Sequence, residues 1–431
     1  MTAVVKTDLT RSRAGRYWGF PRTVALGAVA AATISGLSVR SAPVAASASA
    51  SPTWSAVAPL PVGSSRNPSV SIGSAAGHVY VAIRVGTGKW QQAGVWRLVG
   101  RRWVGPLGGR RTVLRGAPLD IVEWDGAPCM QLAERGTPIV RCIRDGAWVA
   151  LGSSPFPARK ELEIDRLFRV GDSLVLGYLE RSEGQSGGQL VVRSLLPHYV
   201  QLAGGQRTWR VLDTAALQRP GRVVRYVLPF QRDGLLCAST NDMPATRKPA
   251  ADEPATTMRT DCLTPIGWQS AAPDISSSVP RIQSDSVASS GSNVYVATFR
   301  SVLPTGRYRF GFSFRVLRLR DATWEQTQLG DENPNWLEQG RVFEFRGQPW
   351  ALIFSQKPAT GGGLRLRAKL VVRRITGGVA VDVGAPLLSD HAIYGPIHWD
   401  LTSASGKVYA LYPVPNARTR TNEIHVAVLK E

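Results

Sequence analysis

The chain has 431 residues, 43% hydrophobic and 19% charged, with 43 glycines, 29 prolines, 13 tryptophans and four cysteines. Such a chain can bury a large core, and its composition excludes collagen-like, coiled-coil and disulfide-scaffold classes. The formal net charge of +21 creates a positive field that attracts polyanions.

The first fifty residues differ from the rest. A basic stretch with Lys6, Arg11, Arg13, Arg16 and Arg22 precedes an uncharged, alanine-rich run over 23–39 and a small-residue tract over 41–51. This order predicts a secretory signal peptide and linker over 1–50, with Ala46-Ser47-Ala48 or Ala48-Ser49-Ala50 as the cleavage site. An uncleaved signal anchor is the alternative, since the apolar run only just spans a bilayer. The expected location is secreted or cell-surface, with no membrane span in the mature chain. Without residues 1–50 the chain carries 46 basic against 30 acidic side chains, a net charge of +16, nearly all of the excess arginine. No Lys/Arg block and no aromatic-basic RNA-binding segment accompanies it, which argues against nucleic acid. Anionic cell-wall polymers and acidic glycans fit the charge better.

From residue 51 onward one phrase recurs. It runs: apolar strand, glycine turn, β-rich strand, variable loop, β-rich strand, short turn, then tryptophan. Its turn glycines are Gly77, Gly126, Gly171, Gly234, Gly291, Gly347 and Gly406, spaced 45 to 63 residues apart, a period that signals arrays or propellers. In the third copy Tyr199 stands where the others have tryptophan, the sixth has none, and the seventh lacks its last strand. The mature chain opens with an isolated copy of that strand at Trp54. The expected fold is therefore all-β: a single seven-bladed β-propeller over 51–431, in four-stranded antiparallel blades, closed by the N-terminal strand joining the last blade. Cys129 and Cys237 each follow a turn glycine by three residues, and Cys142 and Cys262 each precede a tryptophan by six. This predicts disulfides Cys129–Cys142 and Cys237–Cys262, suited to an oxidising compartment.

Two groups of residues are candidates for function. Six residues before the turn glycines stand Asp120, Asp165, Asp285 and Asp400, with Arg341 at the same place in blade six. By strand alternation they share one orientation at the channel mouth, and His398 points the same way. Clustered carboxylates there could hold a cation, bond sugar hydroxyls or supply an acid and a base; equally, they could cap turns by bonding backbone amides. No cofactor motif occurs. The second group lies in long loops joining second to third strands: Lys89, Trp90, Arg247, Lys248, Arg307, Tyr308, Arg309, Arg418 and Arg420. A charged, aromatic rim on one face suits a glycan, an anionic polymer or a protein. Gly184 to Gly188 matches G-x-S-x-G, but without a strand-to-helix elbow.

The blade phrase, as in Val294 to Ala297 followed by Arg318 to Trp324, resembles secreted bacterial propellers of the sialidase-like, BNR-repeat type over nearly all of 52–431. The resemblance implies architecture alone. The S-x-D-x-G-x-x-W box is missing, and Arg144 to Trp148 keeps only a fragment of it. The functional expectation is an exported, monomeric, non-catalytic binding propeller. The alternative is a glycan-active hydrolase or lyase using the inner carboxylates.

Overall fold

The computed structural model describes residues 52–60, 70–85, 92–108, 114–115, 120–134, 137–152, 162–186, 189–244, 256–277, 282–290, 293–302, 311–320, 322–329, 337–358, 366–393, 399–416, 418 and 421–430. The predicted leader lies outside the described residues. The remainder forms seven blades of four antiparallel strands. In the turns joining first to second strands, Gly77, Gly126, Gly171, Gly234, Gly347 and Gly406 all have positive φ, the conformation that tight hairpin turns demand and that glycine adopts without strain.

The first strands of the blades are Val70–Ala75, Ile121–Trp124, Leu162–Val170, Arg222–Arg232, Ile282–Ser290, Leu337–Phe345 and Asp400–Ala404. Each packs beside the next, and the last returns to the first, so they form a closed inner ring. The ring is sealed as expected: Thr53–Ala56 pairs antiparallel with Thr421–Lys430, Trp54 lying opposite Leu429. Blade 6 splits its outer strand into Val379–Asp382 and Leu388–Ile393, both paired to Leu366–Thr376.

The core is distributed. Seven hydrophobic clusters occupy the seven junctions between blades. This explains why second strands are apolar on both faces: Val79, Tyr80, Val81, Ala82 and Ile83 are all buried, alternate residues facing different neighbours. Blades converge on the axis, so inner strands need small side chains. A Cβ on Gly73 would overlap the Ile121 carbonyl of the next blade, and one on Gly340 would overlap the Phe314 ring.

Tryptophans stitch the perimeter. The indole N–H of Trp103, Trp148, Trp209, Trp268, Trp324 and Trp54 each donates to a carbonyl of the preceding blade, at Ala58, Leu107, Leu151, Asp213, Pro273 and Val383 respectively, over 2.7–3.1 Å. Each such bond contributes about 1 kcal/mol net, beyond the burial of the ring. Blade 6 has no outer tryptophan, and its junction with blade 5 is built differently. There Ser286 Oγ accepts from Val342 N–H at 2.7 Å and Glu338 Oε2 from Phe314 N–H at 3.2 Å, while Phe312 and Leu337 form a parallel bridge.

Two expectations need correction. In blade 3 the tryptophan is present as Trp209, beside the outer strand Arg210–Leu212; Tyr199 sits on one long third strand, Gln189–Ala203. A proline and a histidine in that strand disguised its continuity. The loops joining second to third strands are also shorter than expected, because the hairpins keep pairing through polar sequence: Ser173–Ser186 meets Gln189–Ala203 with Ser186 opposite Gln189. Ser186 thus ends a strand. Polar residues in a protruding hairpin satisfy their backbones as well as apolar ones do. Both disulfides form as expected, Cys129–Cys142 and Cys237–Cys262, each joining directly opposed residues of second and third strands.

Candidate functional site at the channel mouth

Inner strands end towards the axis, so the side chains at that end of each strand meet across the ring. Asp120 and Asp400 stand at the equivalent places of blades 2 and 7, and Arg341 at that of blade 6. Arg341 Nη1 lies 2.6 Å from Asp400 Oδ1, and its guanidinium carbon stands 5.6 Å from the centre of the Trp399 ring. Trp399 is itself stacked on Phe354 at 5.9 Å. Asp400 Oδ1 also accepts from Leu401 N–H at 2.8 Å.

Asp120 is tied to the next blade: its Oδ2 accepts from Leu167 N–H at 3.1 Å. Burial pushes its carboxyl above the usual range, against the pull of Arg166, the Leu167 amide and Arg341, with Asp400 adding a further upward push. Groups from blades 2, 3, 6 and 7 therefore share one electrostatic neighbourhood: two carboxylates, two guanidinium groups and an aromatic wall. The mouth is close to charge-balanced. Such a surface suits a hydroxyl-rich ligand with an apolar face.

The folded state holds the Asp120 proton more firmly than the unfolded chain does. The stabilisation carried by the protonated form is full below the unfolded pKa of about 3.9 and is lost as pH rises through the higher folded value. Asp120→Asn keeps an acceptor for the Leu167 amide and removes the buried charge. The variant is expected to match the native protein near the acid end and to exceed its melting temperature increasingly as pH approaches about 7. Calorimetry across that range checks this; a difference that does not vary with pH would refute it.

The other predicted residues divide as follows. Asp165 and Asp285 lie on inner strands, but each is the extra residue at a register shift, between Ile164 and Arg166 and between Ser284 and Ser286. His398, Lys89, Trp90, Arg247, Lys248, Arg307, Tyr308, Arg309 and Arg420 lie outside the described residues. Arg418 is described and exposed, its backbone N–H bonded to Asn416 Oδ1 at 3.0 Å. Among the described residues no group of three His, Cys, Asp or Glu side chains is arranged to hold a metal ion, and no helix is long and apolar enough to cross a membrane.

Sequence reasoning missed two parts of the mouth. Arg166 follows the bulged Asp165, and Trp399 precedes Asp400; both were legible only as neighbours of aligned aspartates. It also passed over two cross-strand clusters. In blade 3, Tyr178 lies opposite His198, the rings stacked at 4.8 Å, and His198 Nε2 is 3.1 Å from Glu180 Oε2. In blade 7, Tyr412 lies opposite His425, and His425 Nε2 is 3.3 Å from Glu423 Oε2. Glu180 is two residues past Tyr178, and Glu423 pairs with the residue two past Tyr412. Both carboxylates therefore occupy the same rung, on opposite strands. The signal would have been the hairpin register itself.

No protein-family model matches the chain, and no match was found among curated protein sequences. Solved structures do match. An ulvan lyase, a polysaccharide lyase, shares 10% identity at a TM-score of 0.51, over 88% of this chain and 96% of its own. The likeness is one of fold. A protein from Dyadobacter fermentans described as of unknown function (TM-score 0.46, 10% identity, 88% and 98% coverage) and the sialidase of Trypanosoma rangeli (TM-score 0.34, 11% identity, 84% and 53% coverage) are also similar. The propeller architecture follows from the strand pairing, and the ulvan lyase shares the fold.

Proposed function

We propose that this chain is an exported, non-catalytic binding propeller whose channel-mouth and hairpin face engages a glycan or an anionic envelope polymer. One observation carries the reading: the carboxyls that would have to act as acid and base are already engaged, Asp120 by a backbone amide of the next blade and Asp400 by Arg341 and Leu401 N–H. Groups held in this way position a surface. The arginine excess supports an anionic polymer, the two disulfides support an oxidising compartment reached through the predicted signal, and the polysaccharide-acting ulvan lyase shares the fold. A protein ligand on the same face is the remaining partner class.

A second reading is favoured by the raised proton affinity of Asp120 close to the ion-paired Asp400: a glycan hydrolase or lyase in which Asp120 gives up a proton. The purified protein on an array of glycans and cell-wall polymers separates the two. Binding without turnover that weakens with salt, persists in an Asp120/Asp285/Asp400→Asn triple variant and declines in Arg307/Arg309/Arg418→Ala is the expected result. Turnover abolished in the triple variant would make this an enzyme.

A further inference from the structure

Among the described residues, the outer strand of blade 7 covers only part of its partner. Pairing of Thr53–Ala56 stops at Ala427, and Val57 N–H makes one last bond to Val426 O at 2.9 Å. The partner strand runs on to Thr421. Beside this step lies a cavity of about 420 Å³ between blades 6 and 7. Small residues make the space, with Ala56, Ala427 and Ala385 on its walls, and Trp54, Tyr412 and Pro386 give it flat apolar surfaces. Trp54 is fixed in place, because its indole N–H is spent on Val383 O.

Polar groups gather at one end. The His425 ring is centred 6.1 Å from that of Tyr412. Glu423 contacts His425 and accepts from Asn416 Nδ2 at 2.7 Å. These two bonds hold the Glu423 carboxyl below the usual range, so a negative charge stands near the groove at neutral pH.

We propose that this groove between blades 6 and 7 is a binding site for one neutral pyranose ring. The volume lies within the span of small-ligand pockets, which are mostly apolar with a few placed polar groups and favour interfaces between structural units. A pyranose has an apolar C–H face that packs on aromatic rings, as Trp54 and Tyr412 present here, and hydroxyls that bond the phenol of Tyr412 and the hydroxyl of Thr53 on the wall. The ionised Glu423, next along the hairpin beyond Tyr412 and His425, disfavours the charge of a uronic acid. None of these residues belongs to the channel mouth, and the site meets the hairpin face only through Asn416, which bonds both Glu423 and the Arg418 backbone.

Saturation-transfer NMR on the full chain tests it, with the methyl glycosides of glucose, galactose and rhamnose as probes and glucuronate beside them. A ring-proton signal from at least one neutral glycoside, well above that of glucuronate, is expected. Ala56→Trp, at an exposed position on the cavity wall, should abolish it, and Tyr412→Leu, which keeps bulk and removes the flat face and hydroxyl, should weaken binding about tenfold. Lack of signal from every neutral glycoside overturns the proposal, as does a signal that survives Ala56→Trp. A signal lost in Asp400→Asn but kept in Ala56→Trp would also overturn it and place the sugar at the mouth.

Discussion

Replacing Asp242 by alanine is expected to destabilise the domain by about 3–5 kcal/mol. Asp242 is completely buried in blade 4, on the face that meets blade 3. Its Oδ1 is ion-paired and hydrogen-bonded to Arg222 Nε, and Arg259 Nε lies 3.7 Å from its other oxygen. Arg259 is 4% exposed; it donates to Leu217 O at 2.7 Å and stands 3.5 Å from Asp261. Arg222 also donates to Thr257 Oγ1 at 2.9 Å. The network pins the linker and its short 3-10 turn Ala215–Leu217 to blade 4. Removing the carboxylate leaves two guanidinium groups facing each other with only Asp261 beside Arg259 as counter-charge, and Arg259 is too deeply buried for water to replace what is lost.

For a domain of this size the loss corresponds to a melting-temperature fall on the order of 5 °C. The partly exposed pair Arg219–Asp274 at 2.7 Å is the internal control. Asp274→Ala should cost under about 1 kcal/mol, because solvent screens that pair. If thermal unfolding gave the two variants equal losses, the buried network would have no special weight.

Deleting residues 1–60 is expected to cost more still. The deletion removes Trp54 with its bond to Val383 O, and the buried side chains Val57 and Leu60, which sit in the cluster between blades 7 and 1. Burial of three such side chains is worth roughly 5 kcal/mol or more. It also uncovers the edge of Thr421–Lys430, an unpaired strand carrying Val426, Val428 and Leu429. Exposed edges pair with other chains, so the truncated protein should melt lower and associate in size-exclusion chromatography with light scattering. A synthetic peptide of residues 51–62 added back should restore both properties. A truncated chain that stayed monomeric and melted at the native temperature would mean that the ring does not depend on its N-terminal seal.

The parts of this protein written repeatedly in its sequence were the legible ones. Turn glycines recur because each hairpin needs a positive φ, and Gly77 or Gly406 can be located without knowledge of any neighbour. Tryptophans recur because each junction widens outward, which makes Trp103 and Trp324 equivalent before any contact is known. Trp209 was missed because Pro197 and His198 interrupt the β-rich run ahead of it, so that one long strand looked like two. The candidate site was half legible. Alignment brought Asp120, Arg341 and Asp400 to one level, where Arg341 and Asp400 do meet.

The sequence alone therefore determined the propeller, its closure by the first strand and both disulfides, since each follows from a local pattern repeated at a steady period. Only the tertiary structure decided which charges pair, where the strand register shifts and where a cavity opens. The reason is geometric. A side chain's direction reverses with a single residue of register, and register shifts such as those between Ile164 and Arg166 or Ser284 and Ser286 leave no mark in residue spacing. Contacts between blades, such as Asp120 with Leu167 or Arg259 with Leu217, depend on how two sheets are set against each other, and no repeat within one blade encodes that. The groove beside Tyr412 arises in the same way, from an outer strand that ends before its partner does.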